Sequence, residues 1–296
     1  MTPSTKFFAV AAFMCALGVS RGFALAQTTL SQSSSPSPSP AASPTPSGPS
    51  DPCGSIMSIV NRPTISTGVC TVQTGHFVVE NGYSNTVTTG PGGGNTVLAG
   101  QNDVGIRFGT FDPHFDLEFT PPNYARSSVG GTIATGSTDM TFGAKYELGY
   151  TDKASWGVAG FATVPSGTSV FTGGNAQFTG DFNWGYTLNS TFGVNGTLAA
   201  GAPSGINAAG QPQSYFAFIP SIELTATLPG APNELFGEYA YYSAAGPNLG
   251  SKNVFDFGYI RDVGPHVQLD VEYGFSPTVL GGQQYHYVGA GVSFMN

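Results

Sequence analysis

Between residues 177 and 188 the chain alternates strictly. Gln177, Thr179, Asp181, Asn183, Gly185 and Thr187 hold one parity; Phe178, Gly180, Phe182, Trp184, Tyr186 and Leu188 hold the other. Successive side chains of a β-strand point to opposite faces, so a period of two gives one polar and one aromatic face. Residues 139–150 repeat the pattern, with Asp139, Thr141, Lys145 and Glu147 opposite Met140, Phe142, Ala144, Tyr146, Leu148 and Tyr150. So do residues 266–275, where Gln268, Asp270 and Glu272 oppose Val267, Leu269, Val271, Tyr273 and Phe275. Followed along the chain, the pattern predicts twelve strands, at 71–83, 96–109, 114–123, 138–150, 155–165, 177–188, 191–202, 213–228, 234–244, 253–261, 266–275 and 284–294. Most are close to the ~10 residues with which a tilted strand crosses a bilayer.

The connections alternate in length. Long ones are expected at 84–95, 124–137, 166–176, 203–212, 245–252 and 276–283, and short ones at 110–113, 151–154, 189–190, 229–233 and 262–265. Short turns at one end, long loops at the other and an even strand count are the habit of outer-membrane barrels. A β-sandwich imposes no such parity, and its polar face would look to water. Here the apolar face recurs on strand after strand, with Tyr, Phe and Trp near the segment ends, while acids, amides and Gly share the other face. The expected fold is all-β: an antiparallel transmembrane β-barrel of about twelve strands, apolar outside and polar within, behind a disordered N-terminal segment.

Composition removes the alternatives. Only 9% of residues are charged, against ~25% in ordinary soluble domains, which is too few to coat a large soluble core. Yet mean hydropathy is only +0.01, and after the first 26 residues no apolar run approaches the ~18–20 residues of a spanning helix. A helical membrane protein is excluded. A formal net charge of −8 removes nucleic-acid binding through a basic patch.

Lys6, an apolar stretch over 7–19 and Ala24-Leu25-Ala26 predict a signal peptide at 1–26 and therefore export. Residues 31–52 are dominated by Ser and Pro, which favour extended, semi-rigid geometry. They fall within an expected periplasmic linker at 27–69, leaving 70–296 for the barrel. Cys15 leaves with the signal. Cys53 and Cys70 remain as an even pair in an oxidising compartment, where a structural disulfide is expected; a metal site would need further ligands that are not nearby.

Several stretches resemble one known family. They are residues 104–119 (VGIRFGTFDPHFDLEF), 136–148 (GSTDMTFGAKYEL), 161–168 (FATVPSGT), 181–198 (DFNWGYTLNSTFGVNGTL) and 285–294. They are similar to the outer-membrane proteins labelled MetA-pathway of phenol degradation, often called simply transporters. The resemblance covers roughly residues 70–294, rests on structural motifs, and brings no catalytic residues with it. It implies a membrane barrel and passage of small aromatic or apolar compounds. One departure is that Phe294 is followed by Met295 and Asn296, where such barrels commonly finish on an aromatic residue.

Candidate chemistry is sparse. His286 falls on the apolar face of the last strand, and a His-Ser pair on the lipid-facing wall is one way a barrel can hydrolyse esters. No Ser-centred motif accompanies it, so an aromatic-girdle role is expected and the protein is not expected to be an enzyme. His76, His114, His266 and His286 lie on separate elements without metal-ligand spacing, and the Pro91–Gly94 run sits in a loop rather than before a helix, so phosphate binding fails its context. Alternation places Glu80, Asp103, Asp116, Glu118, Asp139, Glu147, Asp181, Glu223, Glu238, Asp256, Asp270 and Glu272 on the polar face, with Arg107 and Lys145 as the clearest bases. These lumen-lining candidates either fill and solvate the interior or select solutes by charge, cations ahead of anions. On the same logic Phe182→Arg is expected to be costly and Asn183→Arg much less so. The expected function is passive transport of small solutes across the outer membrane, with no cofactor. The partners would be outer-membrane lipid, a small-molecule solute and the barrel assembly machinery. The alternative is a plugged structural or adhesive surface barrel.

Overall fold

The computed structural model describes residues 51–90, 93–100, 105–230, 232–280 and 282–296. The expectations attached to residues 1–50, to Pro91 and Gly92 and to Asp103 lie outside these. The alternating segments pair in sequence order. The strands are β1 (Phe77–Thr89), β2 (Gly94–Gly100 and Ile106–Gly109), β3 (Phe115–Thr120 and Tyr124–Val129), β4 (Thr132–Ser137 and Met140–Tyr150), β5 (Ala154–Val164) and β6 (Gln177–Thr187). They continue with β7 (Phe192–Ala202), β8 (Ala217–Leu228), β9 (Asn233–Tyr242), β10 (Lys252–Asp262), β11 (Val267–Leu280) and β12 (Gln283–Met295). Every strand is antiparallel to its neighbours, and β12 pairs back onto β1 from Val78↔Met295 to Thr89↔Gln284. The result is a closed twelve-stranded barrel, beyond whose closed part Thr132–Ser137 pairs with Tyr124–Val129 as a projecting hairpin.

Several boundaries differ from the sequence expectation, β8 among them, which starts at Ala217 rather than 213 because Pro212–Ser214 pairs with Ser204–Ile206 instead. First, β1 starts at Phe77 rather than 71, because Thr71 and Val72 are tied to the inner wall: Thr71 Oγ1 donates to Pro113 O (2.8 Å) and the Val72 amide to Asp116 (3.0 Å). Second, three of the expected long loops are largely strand. β1 runs on to Thr89, β3 and β4 meet across Gly130 and Gly131, and β11 runs on to Leu280. Polar/apolar contrast fades there, but Thr, Val and Ser still suit a pleated ladder. Gly130 and Gly131, at φ of +56° and +82°, make a two-residue hairpin that only residues tolerant of positive φ can turn. The true long connections are 165–176, 203–216 (carrying a small hairpin, Ser204–Ile206 with Pro212–Ser214) and 243–251. The five short turns all fall at the end where β1 begins and β12 finishes.

The outward face is apolar. Leu117, Phe142, Phe182, Leu198, Ile222, Leu224, Leu269, Val271 and Val292 all lie exposed on it. Aromatic pairs stand toward both rims: Phe77 with Phe294 and Phe115 with Tyr146 at the short-turn end, and Tyr239–Phe255–Phe275 (5.3 and 5.5 Å between centroids) toward the other. Leaving so much apolar surface exposed is unfavourable in water and costs nothing against lipid tails. A closed barrel with an apolar belt between aromatic girdles is an outer-membrane architecture.

Candidate functional site

The inward face is polar, and it is not empty. Residues 51–73 fold inside the barrel, so the described part of the expected linker, 51–69, packs against the strands as a plug. Its one helix, Ile56–Ile59, is capped at both levels by Ser55 and Ser58. Ile56 and Ile59 turn inward onto Val60, Val72, Val78 and the Cys53–Cys70 disulfide, and Met295 packs against this cluster. The pair of cysteines is thus joined, with Cα atoms 5.2 Å apart. Met295 follows Phe294 because the last strand must place an apolar side chain inward there, onto the plug.

One sector of the wall holds the plug by charge. Arg62 is 1% exposed and its guanidinium reaches Asp270 at 3.0 Å and Glu272 at 4.0 Å. It lies across Gly82 and Gly291, partners on β1 and β12, where a Cβ at either would collide with the guanidinium. The amides of Asn61 and Arg62 donate to the Glu80 carboxylate (3.1–3.2 Å), and Gln268 Nε2 donates to Arg62 O (3.2 Å). Arg107, fully buried, donates to Ile59 O, Cys70 O (2.8 Å) and Asp116 (2.6 Å), with Glu118 at 3.3 Å and Glu80 at 3.8 Å. Lys145 Nζ donates to Asn61 Oδ1 (3.0 Å) and stands 3.7 Å from Glu118. Buried charges are tolerated only when paired and hydrogen-bonded in this way, and removing one partner of such a pair costs about 3–5 kcal/mol.

The opposite sector holds the plug by hydroxyls and amides. A tip at residues 64–68 reaches across to β6–β9. The Ile65 and Ser66 amides donate to Glu238 (2.7 and 2.6 Å), and Ser66 Oγ meets both Glu238 and Ser221 Oγ, the latter at 2.7 Å. The Thr67 amide donates to Thr197 Oγ1 (2.8 Å), which donates to Asn183 Oδ1 (2.9 Å); Thr67 Oγ1 donates to Asp181 (3.4 Å). Beside the tip lies a cavity of about 520 Å³. The plug lines one side of it with Met57, Thr64, Ser66 and Thr67; the wall lines the other with Asn195, Glu223, Thr225, Thr227 and Glu234, and with the 151–155 and 189–193 turns.

The sequence candidates therefore divide. Arg107, Glu118, Lys145, Glu147, Asp270 and Glu272 face inward on the charged sector or its border; Cys53 Sγ lies 3.3 Å from Glu147 Oε2, and His114 Nδ1 lies 3.6 Å from Glu147 Oε1. Asp181, Glu223, Glu238 and Asp256 face inward on the other, with Glu223 opposite Glu238 and Glu238 opposite Asp256. Asp139, in the break between the two parts of β4, accepts from the Gly167 and Gly173 amides (both 2.8 Å), which fastens the 165–176 loop. The histidines do not come together: His76 bonds Asn296 O, His266 bonds Met295 O, and His286 looks outward beside Tyr273. Asn183 is a correction. It faces the lumen, but it is fully buried under the tip rather than bathed in lumenal water, so an Arg there would not be cheap. Arg62 was missed, because alternation identifies wall residues and Arg62 precedes the first strand. Its only signal was a lone basic residue in a stretch otherwise free of them until Arg107.

No protein-family model matches the chain, and no curated protein matches it. Solved structures do. The COG4313 outer membrane channel from Pseudomonas putida F1 superposes with a TM-score of 0.57 at 11% identity, over 77% of this chain and 98% of that one. The NanC porin gives 0.49 at 9% identity (74% and 98% covered), and the translocator domain of the autotransporter NalP from Neisseria meningitidis gives 0.47 at 14% (74% and 88%). At 11% identity the first of these likenesses is one of fold: the chain has the outer-membrane β-barrel fold of a solved channel protein.

Proposed function

We propose that this protein is an outer-membrane channel for the passive movement of small solutes, exported by the signal at 1–26 and inserted by the barrel assembly machinery. The observation that carries the reading is the 520 Å³ cavity left between plug and wall inside a closed, polar-lined barrel. The cavity lies at the short-turn end, against the 151–155 and 189–193 turns, and gives a solute a place to exchange water for wall groups. The resemblance to the MetA-pathway family fits the same role and implies aromatic or apolar solutes. A second reading, a plugged structural or adhesive barrel, draws on the plug's buried ion pairs, which hold it firmly on one side. Planar-bilayer recording of the purified full chain separates the two. Discrete conductance steps are expected. Their absence, together with no swelling of proteoliposomes in arabinose, would establish the structural reading.

A further inference from the structure

The plug has a fixed foot and a tip of different chemistry. Around the foot, the guanidiniums of Arg62 and Arg107 and the Lys145 ammonium are spent on Asp270, Glu272, Glu80, Asp116 and Glu118. The Cys53–Cys70 disulfide closes the loop at the same side, with Cys70 O on Arg107. The tip is held instead by Ser, Thr and main-chain donors on Ser221, Thr197, Asp181 and Glu238. Tip residues Thr64, Ser66, Thr67 and Gly68 also line the cavity, so the contact that seats the tip is the contact that closes the cavity's inner end.

That wall, together with the adjoining β10, is also unlike the rest in charge. Glu223, Glu238 and Asp256 stand directly opposite one another on three adjacent strands, an arrangement that is destabilising unless something offsets it. Their neighbours there are hydroxyls and amides: Asn195 donates to Glu223 (3.3 Å), and Ser66 and two main-chain amides donate to Glu238. Under the tip, Asn183 Nδ2 is buried without a hydrogen-bond partner, as is one oxygen each of Asp181 and Asp256; such atoms also occur at the foot, among them Asp116 Oδ1 and Gln268 Oε1. Buried polar atoms so left over call for a water or a solute group.

Resting on the transport reading, but departing from the aromatic or apolar solutes that the family resemblance implies, we propose that the solute path is the sector between the tip at 64–68 and the β6–β9 wall, that lifting of the tip from Glu238, Ser221 and Thr197 opens it, and that it takes small polar solutes, cations ahead of anions. The foot stays in place and forms the opposite wall of the path. Hydroxyls, amides and carboxylates replace water around an ammonium group or a neutral polyol, while an anion would face the Glu223–Glu238–Asp256 row.

Locking the tip tests the path. Ser66→Cys with Ser221→Cys places two thiols where hydroxyls now stand 2.7 Å apart; Thr67→Cys with Thr197→Cys is the second pair, should the first misfold. Proteoliposome uptake of tetramethylammonium, arabinose and benzoate is compared for wild type, each single variant and the oxidised pair, without reductant. Oxidation is expected to lower tetramethylammonium and arabinose uptake at least tenfold. Glu223→Gln with Glu234→Gln is expected to bring the tetramethylammonium-to-benzoate ratio at least threefold closer to one. Unchanged uptake in a fully oxidised pair overturns this path and leaves the channel reading standing. Benzoate passing wild type as fast as tetramethylammonium overturns the solute class. No uptake of any probe by wild type or single variants overturns the channel reading and this inference with it.

Discussion

Arg62→Met tests whether the foot of the plug is held by charge. Methionine keeps much of the side-chain volume and lies as easily across Gly82 and Gly291, so the change removes the guanidinium and little else. It leaves Asp270, which is fully buried at its side chain, without its 3.0 Å partner, and it withdraws the cation 4.0 Å from Glu272. Stranding one member of a buried pair costs about 3–5 kcal/mol. The cost falls on the plug's docked state, because the barrel's strand ladders do not involve Arg62. At ~1.4 kcal/mol per tenfold, protection from hydrogen exchange at the Asn61, residue-62 and Val72 amides, which bond Glu80 and Asp116, should fall by a factor between ~10² and ~4 × 10³. Amides in the β9–β10 ladder should keep theirs. Adding Asp270→Leu should restore at least half of the loss, since replacing both partners by apolar groups removes the stranded charge. Lys153→Met, in an exposed turn, is the control. Protection at the foot falling no more in Arg62→Met than in Lys153→Met would refute electrostatic anchoring.

Phe182→Arg puts a charge into the lipid-facing belt and should cost roughly 2–4 kcal/mol if residue 182 lies near the midplane, read from urea unfolding in vesicles; a cost under ~0.5 kcal/mol would mean the outward face is not in lipid. Cys53→Ser with Cys70→Ser opens a loop of 17 residues and should destabilise the docked plug by about 3 kcal/mol, measured as faster exchange at the amides of residues 65–67. Asp181→Asn with Asp256→Asn should shift the reversal potential in a salt gradient toward zero; an anion-selective wild-type pore would contradict a negative lumen. Single cysteines at Ala209, in the long connection, and at Asp152 or Gly230, in short turns, should label from outside intact cells only at Ala209, and the opposite pattern would invert the barrel.

The barrel itself was legible because its information is local and periodic. A strand with lipid on one side and a polar lumen on the other must alternate, so Asp181 against Phe182, or Glu272 against Val271, reveals both the strand and its faces. The parity of the turns followed from the same pattern. Where contrast faded, at 84–89, 124–137 and 276–280, the ladder continued, since cross-strand hydrogen bonding needs only permissive residues. The Gly130-Gly131 hairpin could have been read from its dipeptide.

The plug was not legible, and the reason changes what the lumenal acids mean. Residues 51–73 have no period, because they answer to partners on strands far along the chain: Arg62 to Asp270, Ser66 to Glu238, Thr67 to Thr197. Alternation reports that a side chain faces inward and is silent about what it meets there. Counted from the strands alone, the acids with Arg107 and Lys145 describe one strongly negative lumen. With Arg62 in place they describe two sectors. Asp116, Glu118, Asp270 and Glu272 serve the foot of the plug, and their replacement should loosen it. Glu223, Glu238 and Asp256 carry no such pairing in the ion pairs of the described residues, and their replacement should alter which solutes pass. A mutation's consequence for stability or for selectivity thus depends on which side of the plug it touches, a distinction that arises only from the fold.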